Sequence, residues 1–218
     1  MILFRVLIVF LIPLLVAGLA VAQIKEISKE QYSGTYFAAI EKAQSLARRE
    51  TTKTKRLRDG QVIEEEGWIL EYDLSFRSRL VYSTRAPKIS RTEMIVSEDK
   101  IFCKFEAGPW KLVDRLCLTG PIFNQVLGIV SSKYSVQDTI VDNKRVQLFR
   151  EYVTHKSPTN KGDGLLRFME TKFWLNEKGL ILNRHVTVGV VGSETISFED
   201  VYSFEYDPPG LKIEVPIP

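Results

Sequence analysis

Between Leu165 and Tyr206 the side chains alternate with a period of two, in three runs separated by Asn176-Glu177-Lys178-Gly179 and Val191-Gly192-Ser193. That period belongs to strands with one face covered and one face wet. Gly179 is free to take the positive φ with which such turns close. One face collects Met169, Thr171, Phe173 and Leu175, then Leu180, Leu182, Arg184, Val186, Val188 and Val190, then Ile196, Phe198, Asp200, Tyr202, Phe204 and Tyr206. The other face of the last run is Thr195, Ser197, Glu199, Val201, Ser203 and Glu205. Three antiparallel strands with an oily side are predicted, and something must cover that side.

The rest of the chain divides into the same two kinds of pattern. Ser28-Lys29-Glu30-Gln31 reads as a capping box, and Tyr36, Ala39, Ile40, Ala43, Leu46 and Ala47 then recur at helical spacing. After Arg49 the pattern turns strand-like, with Asp59-Gly60 as a turn. Trp68, Leu70, Tyr72 and Leu74 alternate with Gly67, Ile69, Glu71 and Asp73, and further strands are expected at 79–84, 91–96, 101–105 and 110–113. Thr119-Gly120-Pro121 opens a predicted second helix, apolar on most sides through Ile122, Phe123, Val126, Leu127, Ile129 and Val130. A helix of that kind is buried on most sides, and it is suited to cover the oily face. Strands resume at 133–137 and 145–153, with a turn at Asp142-Asn143-Lys144. The order is helix, about five strands, helix, about five strands. That predicts an α+β fold with one large curved antiparallel sheet. Such a sheet, curled with its oily face inward, encloses space for an apolar ligand; a solid core is the alternative.

Composition narrows the setting. Residues 1–22 hold a single charge, Arg5, and end in Ala20-Val21-Ala22. This fits a secretory signal cleaved before Gln23, with an uncleaved anchor as the alternative. The remaining residues 23–218 then read as a single domain, periplasmic or secreted, with no membrane span after cleavage. Without Arg5 the charged residues number 29 basic against 27 acidic, too balanced to indicate nucleic acid. Cys103 and Cys117 are the only cysteines. An even pair in a secreted chain favours a disulfide over two buried thiols.

The search for chemistry is mostly negative. There is no G-x-S-x-G elbow, phosphate-cradling glycine loop, H-E-x-x-H or C-x-x-C in the sequence. Neither an enzyme, a cofactor nor a metal site is therefore expected. His185 falls on the wet face by the alternation, and His155, beside the polar loop 157–164, is read as solvated too. Glu64-Glu65-Glu66 is placed to face the basic stretch Lys53, Lys55, Arg56 and Arg58 across the Asp59-Gly60 turn. One charged pair stands out. Matching the oily faces of the last two strands sets Val188 opposite Ile196, Val186 opposite Phe198 and Leu182 opposite Tyr202. Arg184 then falls opposite Asp200, either as a structural ion pair or as the anchor for a ligand's polar head.

The N-terminal apolar segment and helix, the near-continuous meander, the apolar stretch at 122–130, the runs Glu93–Phe105 with Trp110 and Phe173–Val190, and the closing Tyr206-Asp207-Pro208 together resemble the LolA/LolB-type lipoprotein-carrier fold. That superfamily also takes in mycobacterial lipid-binding lipoproteins and the sensor domain of RseB-type regulators. The resemblance spans roughly residues 28–215. It implies an unclosed β-barrel with a helical lid that holds acyl chains between sheet and lid, and it carries no catalytic signature. The expected function is an extracytoplasmic carrier or binding protein for a lipid or lipidated protein. The alternative is an envelope sensor that reads the same pocket and signals to a protein partner. The expected cavity wall is Trp68, Leu70 and Tyr72 with Met169, Phe173, Leu182, Val186, Val188, Phe198, Tyr202 and Phe204. Ile122, Phe123, Val126 and Leu127 form the expected lid.

Overall fold

The computed structural model describes residues 23–86, 88–118, 128–156, 165–193 and 195–216. They form strands β1 (Lys25–Glu26), β2 (Arg48–Arg58), β3 (Gln61–Tyr72), β4 (Ser78–Ala86), β5 (Ser90–Ser97), β6 (Lys100–Phe105), β7 (Lys111–Val113), β8 (Gly128–Val141), β9 (Lys144–Lys156), β10 (Leu166–Asn176), β11 (Ile181–Val190) and β12 (Ile196–Tyr206), with one helix, α1 (Lys29–Gln44). All twelve strands join one open antiparallel sheet in the order β1-β8-β9-β10-β11-β12-β2-β3-β4-β5-β6-β7. The turns follow from local chemistry. Asp59 and Gly60 both take positive φ, as do Asp142 and Asn143. That is the geometry of a two-residue hairpin whose twist matches its strands.

Topology decides where α1 lies. β1 pairs with β8 at one edge, whereas β2 pairs with β12 in the middle of the sheet. The chain between them must cross β8 to β12. Six strand spacings amount to about 29 Å, and the 16 helical residues supply about 24 Å of that. The helix starts cleanly. Ser28 Oγ accepts from the Gln31 amide and Gln31 Oε1 accepts from the Ser28 amide, closing the capping box. Tyr32, Tyr36 and Ala39 face the sheet, where Tyr32 and Tyr36 meet the Phe173 ring edge-on and Phe149 stacks on Phe173 at 4.9 Å.

The face that carries α1 is called inner here. Its second cluster lies at the far end, where Met94, Cys103 and Leu118 pack with Leu80, Val96 and Ile101. Cys103 and Cys117 are joined by a disulfide with Cα atoms 6.3 Å apart, which pins the segment after β7 onto the inner face. Cys103 pairs with Lys111 across β6 and β7.

The outer face is held by charge. Glu205, Arg49, Glu71, Arg79, Glu93 and Arg91 form an alternating ladder across five strands, with contacts of 3.1, 2.7, 3.5, 2.7 and 3.0 Å. Burial would raise the Glu93 carboxyl, but Arg79 and Arg91 outweigh it and hold the group below the usual carboxylate range. The C-terminal tail straps over this face. Ile213 packs on Ile95 and Phe102, its amide donates to Asp73 Oδ2 at 3.2 Å, and its carbonyl accepts from Arg77 Nη1 at 2.9 Å.

Three expectations are corrected. The end of the predicted second helix is strand: Gly128 and Ile129 open β8, paired with Lys156 and His155. Ile129 and Val130 are exposed, and the run Ile-Val-Ser-Ser-Lys-Tyr suits an extended chain better than a helix. Ile122, Phe123, Val126 and Leu127 lie outside the described residues. Next, the β11–β12 register differs by two residues. Val186 opposes Asp200, Val188 opposes Phe198 and Arg184 opposes Tyr202; a slip of two leaves each of these side chains on its expected face, and the pairing shifts by one residue at Val188/Gly189, where Gly189 meets Ile196. A second irregularity between Trp174 and Leu175 brings Ile181, not Leu182, opposite Leu175, and Ile181 is the residue that fills the core. Finally, His155 is buried on β9 rather than solvated. His185 does lie on the outer face, with Nε2 3.0 Å from Glu199 Oε1.

Candidate ligand site on the inner face

Strand β2 divides the inner face. Its inward positions are Arg48, Glu50, Thr52, Thr54 and Arg56, which pair with Tyr206, Phe204, Tyr202, Asp200 and Phe198 on one side and with Tyr72, Leu70, Trp68, Glu66 and Glu64 on the other. The oily face expected from the sequence is therefore two apolar halves with a polar seam between them. The Arg56–Glu64 contact at 3.2 Å closes one end of the seam. Arg48 lies 3.8 Å over the Tyr72 ring at the other end.

Beside the seam stands a cluster of polar groups that the packing half-encloses. Asp200 is buried. Its Oδ1 accepts from the Thr54 hydroxyl and its Oδ2 from the Tyr202 hydroxyl at 3.2 Å. Burial pushes the Asp200 carboxyl above its ordinary range, against those two hydrogen bonds and the nearby charge of Arg184. The Arg184 guanidinium sits between the Tyr36 and Tyr202 rings, at 5.6 and 5.2 Å from their centroids, and Nη1 donates to the Tyr36 hydroxyl at 3.3 Å. Arg184 Nε is buried and has no hydrogen-bond partner. Glu151, opposite Thr171 on β9, completes the group. Burial raises its carboxyl as well, with Tyr134 and Arg184 opposing. Arg184 and Asp200 thus share one face and one cluster but form no direct ion pair, which corrects the expected pairing. Tyr202 stands between them.

The expected wall residues divide by how much of each stays open. Phe173 is 0% exposed in the packed core under α1, and Val186 is buried as well. Phe204 packs against that same core. Trp68, Leu70, Tyr72, Met169, Val188, Phe198 and Tyr202 are half-buried on the inner face. Trp68 and Tyr82 rings meet at 4.2 Å, and Tyr82 donates to Glu66 Oε2 at 2.7 Å, with burial and that carboxylate pushing its hydroxyl up to about 12. Leu182 is half-buried next to Ile181.

A pocket of about 610 Å³ opens on the outer face, between β3–β5 and the tail, lined by Glu71, Arg79, Ile95, Trp110 and Ile213 among others. Two of its charged groups, Glu71 and Arg79, are already paired in the ladder. Among the described residues no cluster of His, Cys, Asp and Glu suits a metal ion, and no helix is long and apolar enough to cross a membrane.

The alternation rule missed Glu151, Tyr134 and Thr54. The signal was present for Glu151, which lies between Phe149 and Val153 on one face of β9 and so repeats the placement of Arg184 between apolar neighbours.

No family model and no curated protein matches the chain. Several solved structures are similar in outline. Lipoprotein LppX of Mycobacterium tuberculosis shares 12% identity over 86% of this chain and 100% of its own, with a TM-score of 0.46. LprF of Mycobacterium bovis shares 9% over 89% and 99%, with a TM-score of 0.46. A LolA superfamily protein of Nitrosomonas europaea shares 6% over 78% and 90%, with a TM-score of 0.30. At these identities and scores the likeness carries no argument about ligand or partner.

Proposed function

We propose that this protein is an extracytoplasmic binding or carrier protein that holds the acyl chain of a lipid or lipidated protein on the inner face of its open sheet. The observation that supports the reading is the half-buried apolar surface left between α1 and the disulfide-pinned segment. Met169, Val188, Phe198 and Tyr202 lie on one side of the β2 seam and Trp68, Leu70 and Tyr82 on the other. From β10 to β4 this surface spans five strand spacings, about 24 Å. Small-molecule sites are lined mostly by apolar and aromatic side chains with a few placed polar groups, which is the composition of this face. Cleavage after Ala22 would release the protein outside the cytoplasm, where the Cys103–Cys117 pair stays oxidised.

Native mass spectrometry of the protein purified from its own compartment tests the reading. The expected result is a bound acyl species that detergent or organic solvent removes. A mass equal to that of the bare chain, together with no uptake of added fatty acid or lipid, would overturn it.

A further inference from the structure

We infer that Arg184 binds the anionic head, a carboxylate or a phosphate, of an amphiphile whose chain lies on the inner face; the inference rests on the acyl-binding reading. A guanidinium presents five N–H donors in a planar fork. Here one of them reaches the Tyr36 hydroxyl, at 3.3 Å, and the Nε–H is buried with no partner at all. Leaving such a donor unmade is costly for any half-enclosed cation. The neighbouring acids do not relieve it. No carboxylate among the described residues makes an ion pair with Arg184, and Asp200 is already taken up by Thr54 and Tyr202. Burial raises the carboxyls of both Asp200 and Glu151, and the charge of Arg184 opposes the rise in each.

The geometry favours an external anion over a cation or a neutral group. Tyr36 and Tyr202 flank the guanidinium and hold its orientation, at 5.6 and 5.2 Å from the ring centroids. A fixed fork with unused donors matches the paired oxygens of a carboxylate or phosphate. Immediately along β11 the inward residues are Val186 and Val188, and Val188 faces Phe198. A chain running from a head at Arg184 therefore passes the buried Val186 and reaches the half-buried apolar surface of Val188 and Phe198. The polar seam of β2 borders the same spot, which gives water or a second polar substituent a place beside the head.

The test uses three probes with the same oleoyl or oleyl chain: oleate, oleoyl lysophosphatidate and the neutral oleyl alcohol. Binding of each to the purified protein, to Arg184→Met and to Arg184→Lys is measured by displacement of a fluorescent fatty-acid analogue, with a melting curve for each variant. The expected result is that oleate, lysophosphatidate or both bind at least about ten-fold more tightly than the alcohol. Which of the two binds identifies the head as carboxylate or phosphate. Arg184→Met should erase that preference and leave alcohol binding within about two-fold of the wild type. If Arg184→Met does not fold, Arg184→Lys, which keeps the charge but loses the fork, should still reduce the preference several-fold. Equal binding of all three probes by the wild type, or an unchanged preference in the folded variants, would overturn the role of Arg184 while leaving the acyl site standing. Failure of every probe to bind would overturn both.

Discussion

Tyr202 faces Arg184 directly across the β11–β12 ladder, its ring 5.2 Å from the guanidinium carbon, while its hydroxyl donates to Asp200 at 3.2 Å. One side chain thus touches both Arg184 and Asp200 and stands between them. The consequence for Asp200 is a carboxyl that burial raises and that no cation neutralises by contact.

That arrangement fixes the sign of a pH dependence. An unfolded aspartate titrates near 3.9, and in the native protein the Asp200 value is higher. Between the two values the native state holds more protons than the unfolded one, so stability falls as pH rises through that window and the loss persists above it. Asp200→Asn does not titrate. The stability of the wild type relative to Asp200→Asn should therefore decline as pH is raised from about 3.5 to 7, and urea midpoints taken across that range would show it. A relative stability that climbs with pH would mean that Asp200 is held as a carboxylate by its neighbours.

Gly189 is a position where backbone and ring meet too closely for any side chain. A Cβ there would lie 2.7 Å from the Phe168 ring and 2.8 Å from the Thr195 carbonyl oxygen. The ring is a side chain stacked on Tyr152, and the carbonyl is backbone in the bulged approach to β12. Gly189→Ala should cost about 1–3 kcal/mol, the usual range for overpacking, and Phe168→Ala added to it should recover only part of the loss. A chemical denaturation curve unchanged by Gly189→Ala would contradict the close approach.

The disulfide closes a short loop, with Cys103 and Cys117 separated by 14 positions. In the chain-entropy model a loop of about that length contributes roughly 3 kcal/mol. Replacing both cysteines by alanine should lower the unfolding free energy by about that amount, more if Met94 and Leu118 do not close around the missing sulfurs. A loss below about 1 kcal/mol in the same assay would show that the segment after β7 is held by its packing alone.

How far the sequence carried this fold depended on whether each choice was local. Asp59-Gly60, Asp142-Asn143 and Asn176–Gly179 mark their turns through residues that tolerate positive φ, and the capping box marks the start of α1. Period-two alternation put the inward side chains of β12 on the right face. What alternation could not supply was pairing between distant segments. The β2–β12 junction brings together residues 48–58 and 196–206, and only that pairing places a polar strand in the middle of the inner face. The β11–β12 register was legible to within a two-residue slip, since a slip of two preserves every facing and no hydrophobic pattern distinguishes the alternatives. Arg184 and Asp200 were legible as charges among apolar neighbours, whereas the role of Tyr202 between them was not, because it depends on that slip.

The tail gives the fourth prediction. Asp73 accepts from the amides of Ser75 and Arg77 through Oδ1 and from that of Ile213 through Oδ2. Asp73→Ala leaves these donors to find water and should cost about 1–3 kcal/mol. It should also loosen the strap enough that trypsin cuts after Lys212 faster than in the wild type. Equal cleavage rates would place the tail's anchorage in Ile213 and Val215 packing instead.

Where an acyl chain lies decides the inner-face assignment most directly. An acyl probe bearing a diazirine near its terminal carbon, irradiated with the purified protein and mapped by peptide mass spectrometry, reports that position. The expected labels fall on the half-buried inner-face residues, among them Met169, Val188, Phe198 and Trp68, and are suppressed by excess oleate. Labels confined to the outer pocket around Ile95, Trp110 and Ile213, or no competable label at all, would contradict it.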